Sequence, residues 1–166
     1  MKAKFTAEDL ARARCEWGCS CGPAAFAFAC GLTLDQARKC FPGFRGWCNT
    51  KMMKAALCAQ TLPWAQHEFG CIDKNTMFNA CPTIVRIEFT GPWTGTQWAA
   101  HHSHWLATFR GKDYDGRMVY DVNSGVIDMT TWEQEWLPQL LARHKRATGW
   151  RPTNTMLIGT PGHRFA

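Results

Sequence analysis

The spacing of apolar positions changes near Leu62. Before it, apolar residues recur at helical intervals; beyond it, they alternate with polar ones. Thr6 precedes "AEDLARAR", with acidic residues in the first turn and Leu10 turned inward, which predicts a capped helix over residues 6–14 that "CEWGCS" breaks. Pro23 suits the first turn of a second helix over residues 23–30, with Gly31 as its stop. Thr33 caps "LDQARKC", "FPGFRGW" is a loop, and Thr50 caps "KMMKAALCAQ", whose Met53, Ala56 and Leu57 share one face. In the second half "TIVRIEF" alternates through Ile84, Arg86 and Glu88, the pattern of a half-buried strand. "HWLATFR" and "RMVYDV" predict two further strands, joined by the turn-rich "GKDYDG". "TTWEQEWLPQLLARH" reads as helical from Trp132, bent or interrupted at Pro138, and "TMLIG" as a last strand. Helices followed by antiparallel strands, without a repeat or a linker, make one α+β domain over residues 1–166.

Composition supports a packed globule: 46% of the 166 residues are hydrophobic and 19% charged. "MKAKFTAEDLARAR" lacks the apolar stretch of a signal peptide, and no window reaches the roughly 18 apolar residues of a membrane span. A cytoplasmic protein with no membrane partner is therefore expected. The net charge of +6 raises the question of nucleic acid. Lys and Arg are spread along the chain, however, and the densest run, Arg143–Arg146, follows a predicted helix, where cations offset the C-terminal dipole. Nucleic acid is accordingly disfavoured as a partner. The nine cysteines are odd in number and confined to Cys15–Cys81, which argues against an extracellular disulfide framework. In a reducing compartment most of them pack as small hydrophobes.

"CEWGCSC" and "HHSH" place thiols at Cys15, Cys19 and Cys21 and imidazoles at His101, His102 and His104. A structural zinc site takes four ligands in two tight pairs, and no second tight cysteine pair exists here, so no metal and no cofactor is expected. A nucleophile accounts for more of the residues. Cys21 stands just where the second helix begins, and a helix N-terminus favours the thiolate. Gly22, without a Cβ, leaves room for a substrate backbone. His104 opens one strand of the predicted hairpin and Asp121 closes the other, so the two fall side by side, with Asp121 able to orient the imidazole. His102 is a second candidate base and Cys19 a second nucleophile. Asn123 is a second orienter. The loop "TGPWTGTQWAAHHS" brings Trp93 and Trp98 up to His104 and reads either as a substrate groove or as cover for the sheet. Trp132 and Trp136, four apart, read as core, and His67, His144 and His163 as surface residues.

"SCGPAAFAFACGLTLDQARK", "HWLATF" and "VYDVNSG" together resemble the papain-like cysteine peptidase superfamily, most of all its bacteriocin-processing type. The resemblance spans residues 19–125, with about thirty residues carrying it. It implies a papain-like fold, with Cys21 as nucleophile, His104 as general base and Asp121 as orienter. It also implies a peptide or protein substrate held near Gly22, Trp93, Trp98 and Asn123, and hydrolysis of a peptide or isopeptide bond. The family usually carries a Gln about six residues before the nucleophile to donate to the oxyanion. Cys15 stands there, followed by Glu16, which leaves the Cys21 amide, with Ser20 or Gln97, as substitutes. Losing one oxyanion donor costs on the order of a hundredfold in rate. The alternative expectation is thus a catalytically weak phage-type scaffold that binds and inhibits a host factor; a zinc-stabilised or nucleic-acid-binding module is the third. Oligomeric state leaves no mark on the sequence.

Overall fold

The computed structural model describes residues 2–18, 21–67, 73–74, 77–78, 82–111 and 116–159. Helix α1 (Ala7–Trp17) starts at a capping box in which Thr6 and Asp9 each accept from the other's backbone N–H. It runs beyond the expected end because Gly18, in the left-handed region at φ 72°, supplies the stop. Helix α2 (Cys21–Cys30) begins two residues before Pro23 and is buried from Gly22 to Ala29, ending at Gly31 with φ 64°. A second capping box, Thr33 with Gln36, opens α3 (Leu34–Cys40). Helix α4 (Thr50–Cys58) buries Met53, Ala56 and Leu57 as expected, but its cap is Asn49 rather than Thr50. The Asn49 carboxamide oxygen accepts from Met52 N at 2.8 Å, and Asn is a stronger N-cap residue than Thr.

The α+β order is observed. Six antiparallel strands form one sheet: β1 (Trp64–His67), β2 (Thr83–Thr90), β3 (Ser103–Arg110), β4 (Arg117–Asp121), β5 (Gly125–Asp128) and β6 (Gly149–Ile158). Their spatial order is β1-β6-β2-β3-β4-β5, so the last strand in sequence is inserted between the first two. β1 and β5 were not visible in the sequence, since four residues hold too little alternation to register. The β3–β4 connection is bracketed by Gly111 N donating to Gly116 O at 2.8 Å, and its turn lies outside the described residues.

After β5 the chain forms α5 (Met129–Thr131), a π-helical turn (Trp132–Trp136) and α6 (Leu137–Arg143). Pro138 occupies the first turn of α6, where its missing N–H costs nothing, so it opens a helix instead of bending one.

Helices cover both faces of the sheet. On β3, Trp105, Ala107 and Phe109 turn toward α2, where Phe28 stacks on Tyr120 at 4.4 Å and meets Phe109 at 5.6 Å. Leu106, with Val85, Ile87 and Val119, turns the other way, onto Trp132, Leu137 and Leu140. This double cover corrects the reading of β2 as half-buried: six of its eight residues are buried, in the near-continuous manner of a strand with helices on both sides. Among the described residues, no helix is long and apolar enough to cross a membrane.

One close approach fixes α2 on the sheet. A Cβ on Gly22 would lie 2.5 Å from Cys48 Cβ, 2.8 Å from Cys48 Sγ and 3.4 Å from Trp105 Cδ1. Gly22→Ala should therefore destabilise the fold by about 1–3 kcal/mol through overpacking. Denaturant unfolding measures it; a variant as stable as the parent would show that α2 can move away from Cys48.

Candidate active site

Strand β4 ends at Asp121, and the turn that follows builds its surroundings. Asn123 N donates to Asp121 Oδ1 at 2.9 Å, closing an Asx turn, and Gly125 at φ 75° brings the chain back as β5 opposite Asp121. The Asn123 side chain adds a second donor, Nδ2 to Oδ1 at 2.8 Å. Arg14 of α1 anchors the same turn by donating to Val122 O at 3.4 Å. Asn123 thus holds Asp121 instead of standing in for it, and its amide is committed there rather than to a substrate.

Asp121 is 0% exposed and carries two further bonds. His104 Nε2 lies 3.1 Å from Oδ1, and Trp132 Nε1 donates to Oδ2 at 2.8 Å. A carboxylate only accepts, so Nε2 carries the proton and, in the neutral ring, Nδ1 keeps its lone pair. His104 and Asp121 lie on neighbouring strands. Tyr120 is opposite Ala107, which sets Asp121 diagonal to His104 on the same face. The sequence placed this pair correctly. It missed Trp132, whose spacing from Trp136 gave only a core reading.

Burial alone would raise the Asp121 pKa. The His104 charge and hydrogen bond outweigh it, helped by the donors of Asn123 and Trp132, and the carboxyl is held down at about 2.

Cys21 is the first residue of α2, half-buried at the helix N-terminus. Its neighbour Gly22 is packed between Cys48 and Trp105, and Trp105 Nε1 donates to Cys48 O at 2.8 Å. The start of α2 is thereby fastened at the start of β3, one residue from His104. The room left by the absent Gly22 Cβ is filled by Cys48 rather than open to a substrate, which corrects the expectation for Gly22. At the other end of α2, burial and then Cys40 push the Cys30 thiol up to about 12.

The remaining candidates are sorted by the 310 turn Gln97–His101 that precedes β3. His101 lies between two exposed rings, Trp47 and Trp98, each 5.9 Å away. His102 caps the turn, and its Nδ1 lies 3.1 Å from His144 Nδ1 while Trp93 stacks on its ring at 3.6 Å. His102 is therefore not a base beside Asp121: its ring nitrogen is committed elsewhere. His144, expected on the surface, is half-buried, and burial followed by His102 lowers its pKa. Trp93 also donates to Phe89 O at 2.6 Å, which makes it sheet cover, whereas Trp98 is 60% exposed. Gln97 is exposed, as is Cys15, and Glu16 pairs with Arg38. His67 is half-buried in β1. Cys19, Ser20 and His163 lie outside the described residues.

Arg86 was legible only as a polar position in an alternating strand. It is a largely buried cation whose pKa burial lowers, donating to Ser103 Oγ at 3.1 and 3.2 Å and to Ala100 O at 3.2 Å. It secures the segment that delivers His104.

Among the described residues, no group of three or more His, Cys, Asp or Glu side chains is placed to hold a metal ion. No family model matches the chain, and no curated protein matches its sequence.

Since the folded pKa of Asp121, about 2, lies below its unfolded value near 4, the bonds to its carboxylate stabilise fully above about pH 4 and the gain fades as pH falls toward 2. Asp121→Asn should remove about 2 kcal/mol of stability at neutral pH and flatten the acid limb of the stability–pH curve. Urea unfolding between pH 2 and 7 measures both; an unchanged acid limb would show that other carboxylates govern acid stability.

Proposed function

We propose that the protein is a papain-like cysteine hydrolase that cleaves a peptide or isopeptide bond in a protein or peptide substrate, in the cytoplasm and without a cofactor. Cys21 is the nucleophile, His104 the general base and Asp121 its orienting partner. The observation that carries this reading is the buried His104 Nε2–Asp121 Oδ1 bond of 3.1 Å, which commits one ring nitrogen and leaves Nδ1 for the thiol proton.

The chemistry follows from these roles. His104 Nδ1 takes the Cys21 proton, and the Asp121 carboxylate stabilises the imidazolium. The thiolate attacks the substrate carbonyl, forming the carbon–sulfur bond and an oxyanion beside the α2 N-terminus, where the helix dipole favours negative charge. The imidazolium then gives its proton to the leaving amine as the carbon–nitrogen bond breaks. Water, deprotonated by His104, releases the acyl group and restores the thiol. In this reading the thiol has to meet the imidazole around the start of β3 at Ser103, since α2 packs on the Trp105 face of the strand and His104 lies on the other. Trp98 and Trp47, both exposed beside this end, are the substrate-facing rings.

A second reading is a catalytically weak phage-type scaffold that binds a host factor. It is favoured by exposed Cys15, which stands in place of an upstream amide donor.

The test is the alkylation rate of Cys21 by iodoacetamide at neutral pH. His104→Ala and Asp121→Ala should each slow it about tenfold, and the double variant little more, because the residues act as a unit. His102→Ala should leave it unchanged. Equal rates in all variants would make Cys21 an ordinary cysteine, and a larger loss at His102 would move the base there. Normal activation of Cys21 without turnover of any peptide library supports the binding reading.

A further inference from the structure

Beside the candidate active site, two imidazoles face each other between the 310 turn before β3 and the end of α6. His102 Nδ1 lies 3.1 Å from His144 Nδ1, with the rings at 71° and their centroids 5.2 Å apart. That separation is close to the greatest that two rings joined at such a distance can reach, so the nitrogens meet head on. A pair placed in this way holds one hydrogen: one Nδ1 donates and the other accepts.

The contact closes one segment of chain on another. Trp93 stacks on His102 at 3.6 Å, and Phe89 meets His144 at 4.6 Å, so each imidazole has an aromatic ring against it. A Cβ on Gly91 would lie 2.9 Å from Arg146 O, and Thr148 N donates to Thr90 O at 2.8 Å. Residues 90–102, which carry exposed Trp98 and His101, are thereby held against residues 144–148. The second segment is strained: Arg146, at φ 74°, is the one non-glycine residue in the left-handed region among the described residues.

The groups around the pair oppose a second proton. Burial comes first in lowering the His144 pKa, followed by His102 and His104 and then by Arg143 on its own helix. Lys145 and Arg146, next in the chain, are exposed cations. The carboxylates of the packed strands are taken, Asp121 of β4 by His104 and Glu88 of β2, on the face away from Phe89, by Arg151. A first proton leaves an imidazolium donating to an imidazole, which keeps the contact. A second makes both nitrogens donors, and no acceptor is left between them.

We propose that His102 and His144 form a proton-operated latch, which holds the 93–101 segment on the end of α6 at neutral pH and releases it once both rings are protonated. Acid then frees Trp98 and His101, at the start of β3, while the His104–Asp121 bond stays in place. Because His144 takes its proton less readily folded than unfolded, its contribution is full above about pH 6.5 and fades as the pH falls below it. The latch needs no acyl-transfer step and stands whether or not Cys21 is a nucleophile.

The experiment titrates the full chain from about pH 8 down to 4 and follows the side-chain nitrogens of its six histidines by 1H–15N NMR. His102→Asn and His144→Asn assign the pair by deletion, and Trp93→Phe assigns the Trp93 indole signal. The pair should titrate in two separate steps. The Trp93 signal should hold through the first step and shift with the second, as the ring leaves His102. In His144→Asn the carboxamide can accept from a protonated His102 as well as donate to a neutral one, so the Trp93 signal should stay in place throughout. One shared, unperturbed titration of both rings, or a Trp93 signal that ignores the second step, overturns the proposal. So does a Trp93 signal that moves in His144→Asn at the parent's pH, since another group would then be the trigger. Should that variant fail to fold, the parent alone decides, by whether the Trp93 signal follows the second step.

Discussion

A buried negative charge on Asp121 is the constraint that the sheet, the β4–β5 turn and the π-helical turn must satisfy together. Removing a carboxylate from water costs several kcal/mol even after relaxation, unless pairing and hydrogen bonds replace the lost hydration. Four donors do so here: His104, two N–H groups of Asn123, and Trp132. They come from β3, from the turn and from the helical segment on the far face of the sheet. None can shift without leaving part of the charge unpaired. The register of β3 against β4 is fixed in the same way, since a slip of one residue turns His104 to the opposite face.

The opposite face obeys a different demand. Helix α2 is buried from Gly22 to Ala29 and carries no charged side chain, so its stability comes from packing, and its polar ends must lie where they can be satisfied. Ala24, Ala25, Ala27 and Ala29 keep it slim between the sheet and α3, while Phe26 and Phe28 carry most of its contact area. The tightest point is Gly22. By admitting Cys48 where a side chain would stand, it sets the height of the α2 N-terminus over Trp105, and so where Cys21 lies relative to β3. Two unrelated forces, charge satisfaction on one face and close packing on the other, converge on the same strand end.

Local signals in the sequence located most elements, and the ones they missed have physical reasons. Thr6 and Thr33 announced their helices because capping is a short-range bond between residues three apart. Strands β1 and β5 have no such local mark, and β1 owes its place to pairing with β6, some ninety residues later (Trp64 opposite Ile158). The strand order was equally invisible. Nothing local in "TMLIG" says that it enters the middle of a sheet. The π-helical turn had no local mark either, nor did its consequence, which is that Trp132 at its start meets Asp121.

The three neighbouring histidines show why the site was only partly readable. Alternation along a continuous strand would put His102 and His104 on one side, as two candidates for the same role. The strand begins only at Ser103, however, and His102, at φ −107° and ψ 53°, closes the preceding 310 turn. That change of backbone sends its ring to His144 and Trp93 and leaves Asp121 to His104 alone. Arg86 maintains the change, since its guanidinium joins Ala100 on the turn to Ser103 on the strand. A cation on the neighbouring strand thus decides which imidazole meets the carboxylate, and this long-range dependence is what a period-two reading of "HHSHWLATF" could not contain.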